Sequence, residues 1–316
     1  MDLPRFEDVR EAAVRIRPLV HRTPVLTCAT LDRRVGARLF FKCENFQKVG
    51  AFKFRGACNA VFSLDAAAAA RGVATHSSGN HAQALALAAR LRGIPAHIVM
   101  PENAPGVKRE AVAGYGGRIR FCAPTLSARE AALEAMVAET GANFVHPYND
   151  PRVIAGQGTA ALELLEEAGD LDALVVPVGG GGLLSGTLLA ARGLAPRARV
   201  WGVEPAGADD ARRSLREGRI VPSVEPRTIA DGLLTSLGEV TFAIISRDVE
   251  DIATASEEGI AAAMRLIWER MKIVIEPSAA VPLAALLEGT LNLGGLRVGV
   301  VLSGGNVDLA RLPWSA

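Results

Sequence analysis

The sequence lacks the features of a polymer binder or a stapled secreted scaffold. Neither sign of charge is in excess: 35 Lys and Arg face 34 Asp and Glu, a formal net charge of +1. A nucleic-acid coat or an anionic-membrane binder needs a basic surplus, so both are excluded. Aromatic residues amount to only 5%, too few for the stacking platforms that hold single-stranded nucleic acid. Cys28, Cys43, Cys58 and Cys122 are scattered without C-x-x-C spacing. That argues against a disulfide framework or a zinc site and fits a reducing cytoplasm. No apolar run reaches about 18 residues, so no membrane-spanning helix is expected. Residues 1–10 carry Asp2, Glu7 and Asp8 and no apolar stretch, so no signal peptide is expected.

What is present is apolar and regularly patterned. The 316 residues are 49% hydrophobic, enough for about two domains of ~150 residues. Short apolar runs alternate with Ala-rich helical stretches. Strands are expected at 38–43, 96–100, 118–121, 173–178, 200–203 and 298–302. Helices are expected at 51–64, 79–92, 128–139, 156–168 and 183–191, with Ala66–Ala70 on a helix surface or turn. This alternation implies mostly parallel sheets covered by helices on both faces. No linker divides the chain, so residues 72–149 read as a smaller unit inserted into a larger one made of 1–71 and 150–316.

Four stretches carry chemistry. Gly179, Gly180, Gly181 and Gly182 follow the apolar strand 173–178 and precede a helix that opens with Leu183. That order suits a phosphate cradle, because a helix N-terminus offers free N–H groups and glycines permit close approach. The run has neither the Lys-Ser/Thr of a nucleotide loop nor the position of a dinucleotide fingerprint; a tight turn at a sheet edge would also use glycines. Lys53 opens a helix between Phe52 and Phe54, where apolar walls favour its neutral, nucleophilic form; otherwise it is a snorkelling surface lysine. Thr75-His76-Ser77-Ser78-Gly79-Asn80-His81 gathers six hydrogen-bonding side chains about one glycine, more than helix capping needs. Ser303-Gly304-Gly305-Asn306 is a second polar tip at a strand's carboxyl end, where open α/β sheets bind ligands.

An imine-forming lysine, a cradle for one phosphate and polar strand tips suit pyridoxal phosphate. With these motifs, from His21-Arg22-Thr23-Pro24 to Asn306, the chain resembles the fold-type II pyridoxal-phosphate enzymes. Within them it resembles the serine/threonine dehydratases, and most closely the serine racemases and 3-hydroxyaspartate dehydratases. The resemblance implies two three-layer α/β/α domains. It makes Lys53 the cofactor's imine-forming lysine and packs Phe52 by the ring. Asn80 would bond the ring hydroxyl, Gly179–Gly182 and Leu183 would hold the phosphate, and Ser303 would face the pyridine nitrogen. A serine there leaves the ring neutral, which disfavours a long-lived carbanion and favours rapid loss of a β-hydroxyl. Ser77 and the backbone at Asn80 and His81 would hold the substrate carboxylate.

Ser78 matches the racemases' proton carrier on the face opposite the lysine, so racemisation can accompany elimination. His76 and Arg129 match positions at the substrate's distal end, where a guanidinium suits a second carboxylate. Tyr148, in His146-Pro147-Tyr148-Asn149-Asp150, would lie near the ring. The Glu204–Asp210 loop holds three carboxylates in seven residues, which can ligate a hard cation or simply face water. The resemblance selects Glu204, the Ala208 carbonyl and Asp210 as ligands of Mg²⁺ or Ca²⁺. Gln83, Tyr115, Lys272 and Asn306 match an ATP-effector site of some racemases. A homodimer is implied, and no isoleucine-sensing regulatory domain is expected. The alternatives are β-replacement chemistry of the cysteine synthase or threonine synthase type, against which Phe52–Gly56 argues, and a non-catalytic amino-acid or nucleotide sensor, made improbable by an intact Lys53.

Overall fold

The computed structural model describes residues 3–77, 79–104 and 106–314. Ten strands form two sheets among them: β1 (Val25–Leu26), β2 (Arg38–Cys43), β3 (Val73–His76), β4 (Ala96–Pro101), β5 (Arg118–Cys122), β6 (Asn143–Phe144), β7 (Ala173–Pro177), β8 (Arg199–Pro205), β9 (Asp251–Ala255) and β10 (Arg297–Leu302). The larger sheet runs β1-β2-β10-β7-β8-β9 and the smaller β5-β4-β3-β6. Every pairing is parallel except β1 with β2. This is the fold-type II arrangement of mostly parallel sheets. Parallel strands covered on both faces read as unbroken apolar runs, and all five residues of β7 are buried. No helix is long and apolar enough to cross a membrane among the described residues.

The strands of the smaller sheet all lie between residues 73 and 144. Its core nevertheless continues into Phe54, Ala57 and Val61, on the helix Lys53–Phe62, and into Val153. Helix caps explain where the elements differ from the sequence pattern. The helix expected at 156 begins at Pro151, because the Asp150 carboxylate accepts from the Arg152 amide and proline suits the first turn. The helix expected at 128 begins at Leu126, capped by the Thr125 hydroxyl. Ala66–Ala70 is a short helix capped by Asp65. The helices Phe6–Ile16, Ala29–Val35, Gly106–Gly114, Asp210–Glu217, Glu239–Asp248, Glu257–Met271 and Pro277–Glu288 and the strand β9 lie outside the expected elements.

Glycines set how closely the helices behind the larger sheet approach. The helix Pro151–Ala168 crosses Lys53–Phe62 at Gly156 and crosses Gly182–Leu194 at Gly158. A Cβ on Gly156 would sit 2.7 Å from the Gly56 Cα, and one on Gly158 would sit 2.6 Å from the Gly186 carbonyl oxygen. These contacts are backbone on backbone, so no rotamer change can relieve a methyl group. Gly156→Ala is therefore expected to lower stability by about 1–3 kcal/mol, read from chemical denaturation. An unchanged midpoint would show that the crossing tolerates a wider spacing.

Candidate active site

The carboxyl ends of β3, β7 and β10 open on one cavity of about 660 Å³. Beyond β7 the chain turns through Gly179–Gly182 into the helix Gly182–Leu194, with Gly181 left-handed at φ 84°. A Cβ on Gly180 would overlap the Tyr148 ring, and one on Gly181 would lie 2.8 Å from Leu237 and Ile245 side-chain carbons. Only glycine brings this backbone against the cavity, and the first N–H groups of the following helix have no intrahelical acceptor. The turn therefore presents donors and positive potential to an anion.

Lys53 faces the same cavity from the first turn of its helix. Its segment is tied to the end of β10: the Phe52 amide donates to the Ser303 carbonyl at 3.0 Å, and Ala51 bridges Gly304. The Lys53 ammonium donates to the Pro147 carbonyl at 2.9 Å and stands 5.2 Å from the Phe52 ring centre. Burial lowers its pKa to about 8, against the opposing pull of Glu276. The amine is thus close to its nucleophilic form at neutral pH.

A polar group surrounds it. The Asn80 amide donates to both Glu276 carboxylate oxygens at 3.2 Å, and its oxygen accepts from Asn306 at 2.9 Å. Burial, then the charge of Asp231, raises Glu276 to about 7. Ser303 is buried at the tip of β10, on the cavity wall. Lysine, glycine turn, Asn80 and Ser303 thus surround one space, a set whose chemistry fits pyridoxal phosphate. Sequence reasoning missed Glu276; its only signal was a lone acidic residue between Ile275 and Pro277.

His76, Ser77 and Arg129 also line the cavity, with Tyr148 beside the glycine turn. The Ser77 hydroxyl accepts from the Gly79 amide at 3.3 Å. His76 is held below its ordinary pKa by burial and by the nearby Arg129 charge. His81 also borders the cavity, but its ring is buried, bonded to the Val145 carbonyl at 3.2 Å and kept neutral by burial, with a pKa of about 3. What it offers a ligand is its backbone at the helix N-terminus. Ser78 lies outside the described residues.

The acidic loop stands apart from the cavity lining. Glu204 accepts from the Ala211 and Arg212 amides at 2.9 and 2.8 Å, capping the helix Asp210–Glu217. Asp210 is 1% exposed, yet among the described residues neither of its carboxylate oxygens makes a well-formed hydrogen bond; the Ser223 hydroxyl, itself without one, lies close enough to oppose the rise of its pKa. Burial raises Asp210 to about 6 and Glu204 well above its ordinary value. Two desolvated carboxylates, one of them without a well-formed hydrogen bond, are what a bound cation would relieve. No cluster of three or more His, Cys, Asp or Glu occurs among the described residues, so such a site needs carbonyl ligands such as Ala208.

Of the four nucleotide candidates only Asn306 lines the cavity among the described residues. Its amide is held by the Val49 carbonyl and Asn80. Gln83 is buried on the helix Asn80–Arg92, Tyr115 packs against the smaller sheet's core, and Lys272 ends Glu257–Met271 in a left-handed conformation. Gln83, Tyr115 and Lys272 are thus not part of this cavity's lining.

Comparison with known proteins agrees with this geometry. The family model described as "Pyridoxal-phosphate dependent enzyme" matches residues 16–304. The chain is 55% identical over 315 residues to the beta-hydroxyaspartate dehydratase of Paracoccus denitrificans, covering 100% of both. It is 52% identical over 312 residues to the L-threo-3-hydroxyaspartate ammonia-lyase of Saccharomyces cerevisiae, covering 98% of this chain and 96% of that one. The crystal structure of serine racemase from Dictyostelium discoideum superposes with a TM-score of 0.93 at 49% identity, covering 97% of this chain and 99% of that one.

The depressed Lys53 pKa has a kinetic consequence. A neutral amine attacks an aldehyde and an ammonium does not, so in protein freed of cofactor, uptake of pyridoxal phosphate should accelerate as pH rises through about 8. Stopped-flow absorbance of the imine band checks this, with Lys53→Ala showing no such band. An inflection near the ordinary lysine value of about 10.4 would refute a desolvated Lys53.

Proposed function

Because the chain belongs to the pyridoxal-phosphate dependent enzyme family, we propose that it dehydrates and deaminates a hydroxy amino acid, 3-hydroxyaspartate before serine or threonine, to an oxo acid and ammonia. Racemisation is proposed as a parallel outcome. The observation that carries this is Lys53, a desolvated amine facing a cavity that Arg129 also lines. The names of the relatives, two of which act on hydroxyaspartate, support the same substrate class. β-Replacement of the cysteine synthase or threonine synthase type, and a sensor without catalysis, have no comparable support.

When bound, pyridoxal phosphate supplies an electron sink for the carbon that loses its proton. Gly179–Gly182 and Leu183 would hold its phosphate, Ser303 would meet its ring nitrogen and Asn80 its hydroxyl. Ser77 and the helix N-terminus at Asn80 and His81 hold the substrate α-carboxylate, while Arg129 pairs with a distal carboxylate. Lys53 Nζ would take the α-proton on its own face and give a proton to the departing β-hydroxyl, which would leave as water; the released enamine would then react with water to give the oxo acid and ammonia. Ser78 is the proposed proton carrier on the opposite face. Glu276, near neutrality, accepts from Asn80 and so orients that amide. The same reading makes the protein a cytoplasmic homodimer.

The test is an oxo-acid, ammonia and chirality assay over the four 3-hydroxyaspartate isomers, both serines and L-threonine. Elimination from at least one substrate is expected. Ser78→Ala should suppress inversion and D-substrate reactions, sparing elimination initiated by Lys53. Equal losses on both enantiomers, in step with a fall in stability, would reduce Ser78 to a helix cap, worth about 1 kcal/mol.

We further propose that Glu204, the Ala208 carbonyl and Asp210 bind Mg²⁺ or Ca²⁺. A cation bound only by the folded loop stabilises the folded state. Chelation should therefore lower the melting temperature, Mg²⁺ or Ca²⁺ should restore it, and Asp210→Ala should abolish the response. Identical melts with and without chelator would leave Glu204 only the capping of its helix.

A further inference from the structure

His146 follows β6 at its carboxyl end and lines the cavity. Its Nδ1 receives two backbone donors, the Asn149 amide at 2.9 Å and the Tyr148 amide at 3.3 Å. A ring nitrogen that accepts carries no proton, so in the neutral imidazole the proton is on Nε2. Three neighbours hold the ring: Tyr148 edge-on at 4.5 Å between centres, Phe144 at 5.6 Å and His76 at 6.5 Å. Nε2 has no hydrogen-bond partner among the described residues, although the residue borders the cavity. The ring thus carries a single oriented N–H, with no lone pair beside it, and borders the same cavity as His76 and Arg129.

We infer that His146 is a specificity residue: its Nε2–H is a fixed neutral donor for an acceptor at the substrate's distal end, a β-carboxylate rather than a methyl or hydrogen. This deepens the proposed function and rests on it for the identity of the substrate.

The charged and titratable groups around the ring keep it neutral. Burial, His76 and Lys53 lower its pKa, Asp150 opposes them, and the result is about 4. An imidazolium would hold any anion, and would bind it more weakly as pH rises through neutrality. A fixed N–H has neither property. It requires an acceptor at one point in space, and it leaves an unpaired donor in the cavity when the substrate has none there. The formal cation at this end remains Arg129, whose Nε bonds only weakly to the Thr125 carbonyl, at 3.4 Å.

Two substitutions separate the binding role from the structural one. In His146→Asn the amide oxygen takes the place of Nδ1 and can accept from the Tyr148 and Asn149 amides, but nothing replaces Nε2. In His146→Gln the longer side chain returns a donor to the Nε2 position. The ratio of kcat/KM for 3-hydroxyaspartate to that for serine should fall about tenfold to a hundredfold in His146→Asn, the loss of one hydrogen bond to a charged group. His146→Gln should recover part of it. A ratio unchanged in His146→Asn, with His146→Gln impaired equally on both substrates, would mean that the ring only staples the turn and would overturn the proposal.

A second readout is independent of turnover. ¹⁵N-histidine NMR of the holoenzyme, with the His146 signals assigned by their absence in His146→Asn, should show Nδ1 bare and Nε2 protonated from pH 5.5 to 8. Succinate, a dicarboxylate that cannot react, should shift Nε2; butyrate should not. The opposite tautomer, an imidazolium at pH 6, or no response to succinate defeats the proposal. A wild-type enzyme inert toward every hydroxy amino acid would instead defeat the functional reading and leave the NMR outcome to decide the role of His146.

Discussion

Arg55, fully buried, makes four short hydrogen bonds to two carboxylates, Glu44 sealed from water and Glu163 nearly so. Its guanidinium bonds both Glu44 oxygens at 2.7 and 2.9 Å and both Glu163 oxygens at 2.8 Å. Lys42, fully buried on β2, adds a second cation at 2.6 Å from Glu163, and the Thr23 hydroxyl donates to Glu44 at 2.5 Å. Two cations and two carboxylates cancel, so no net charge is buried. Such a cluster contributes little net stability over apolar packing, but removing one member leaves an uncompensated charge and costs about 3–5 kcal/mol. The arrangement therefore tolerates very few alternatives. It joins the end of β2 to the helices Lys53–Phe62 and Pro151–Ala168, and Arg55 is two residues from Lys53. The position of the reactive amine is set by charges on the side of the helix that the substrate never sees.

The glycines complete that constraint. Gly56 and Gly156 let the two helices touch backbone to backbone, directly behind Lys53. In front, Phe52 and Ala51 are pinned to the tip of β10 by backbone bonds. With both sides held, the lysine side chain has one direction left, into the cavity beside the Pro147 carbonyl. Burial there lowers the cost of its neutral form, just as burial raises the cost of ionised Glu276 across the polar group. Both groups are brought toward neutrality by the same exclusion of water, while the Asn80 amide donates to the carboxyl and its oxygen accepts in turn from Asn306.

Much of the site was legible because it lies at boundaries that local chemistry marks. A glycine run after a wholly apolar strand, polar tips after β3 and β10, and a lysine between phenylalanines each violate the surrounding pattern, and all meet in the cavity. Glu276 gave no such signal. One acidic residue before a proline is common, and only its placement beneath Asn80, some two hundred residues away in the chain, makes it part of the site. Asp210 was visible as one carboxylate among three, but not as one sealed from solvent without a donor. His146 stood in a motif whose tyrosine drew attention; the two amides converging on its ring come from a turn that periodicity does not reveal.

The sequence by itself determined the alternation of strands and helices, the glycine turn and the lysine's candidacy, because these rest on local composition and on periods of two and 3.6 residues. The tertiary structure decided which of those signals share one space, in which direction each ionisable group departs from its ordinary pKa, and which nitrogen of His146 the backbone engages. Those properties depend on desolvation and on partners distant in the chain, and neither exists until the two sheets and the helices between them have packed.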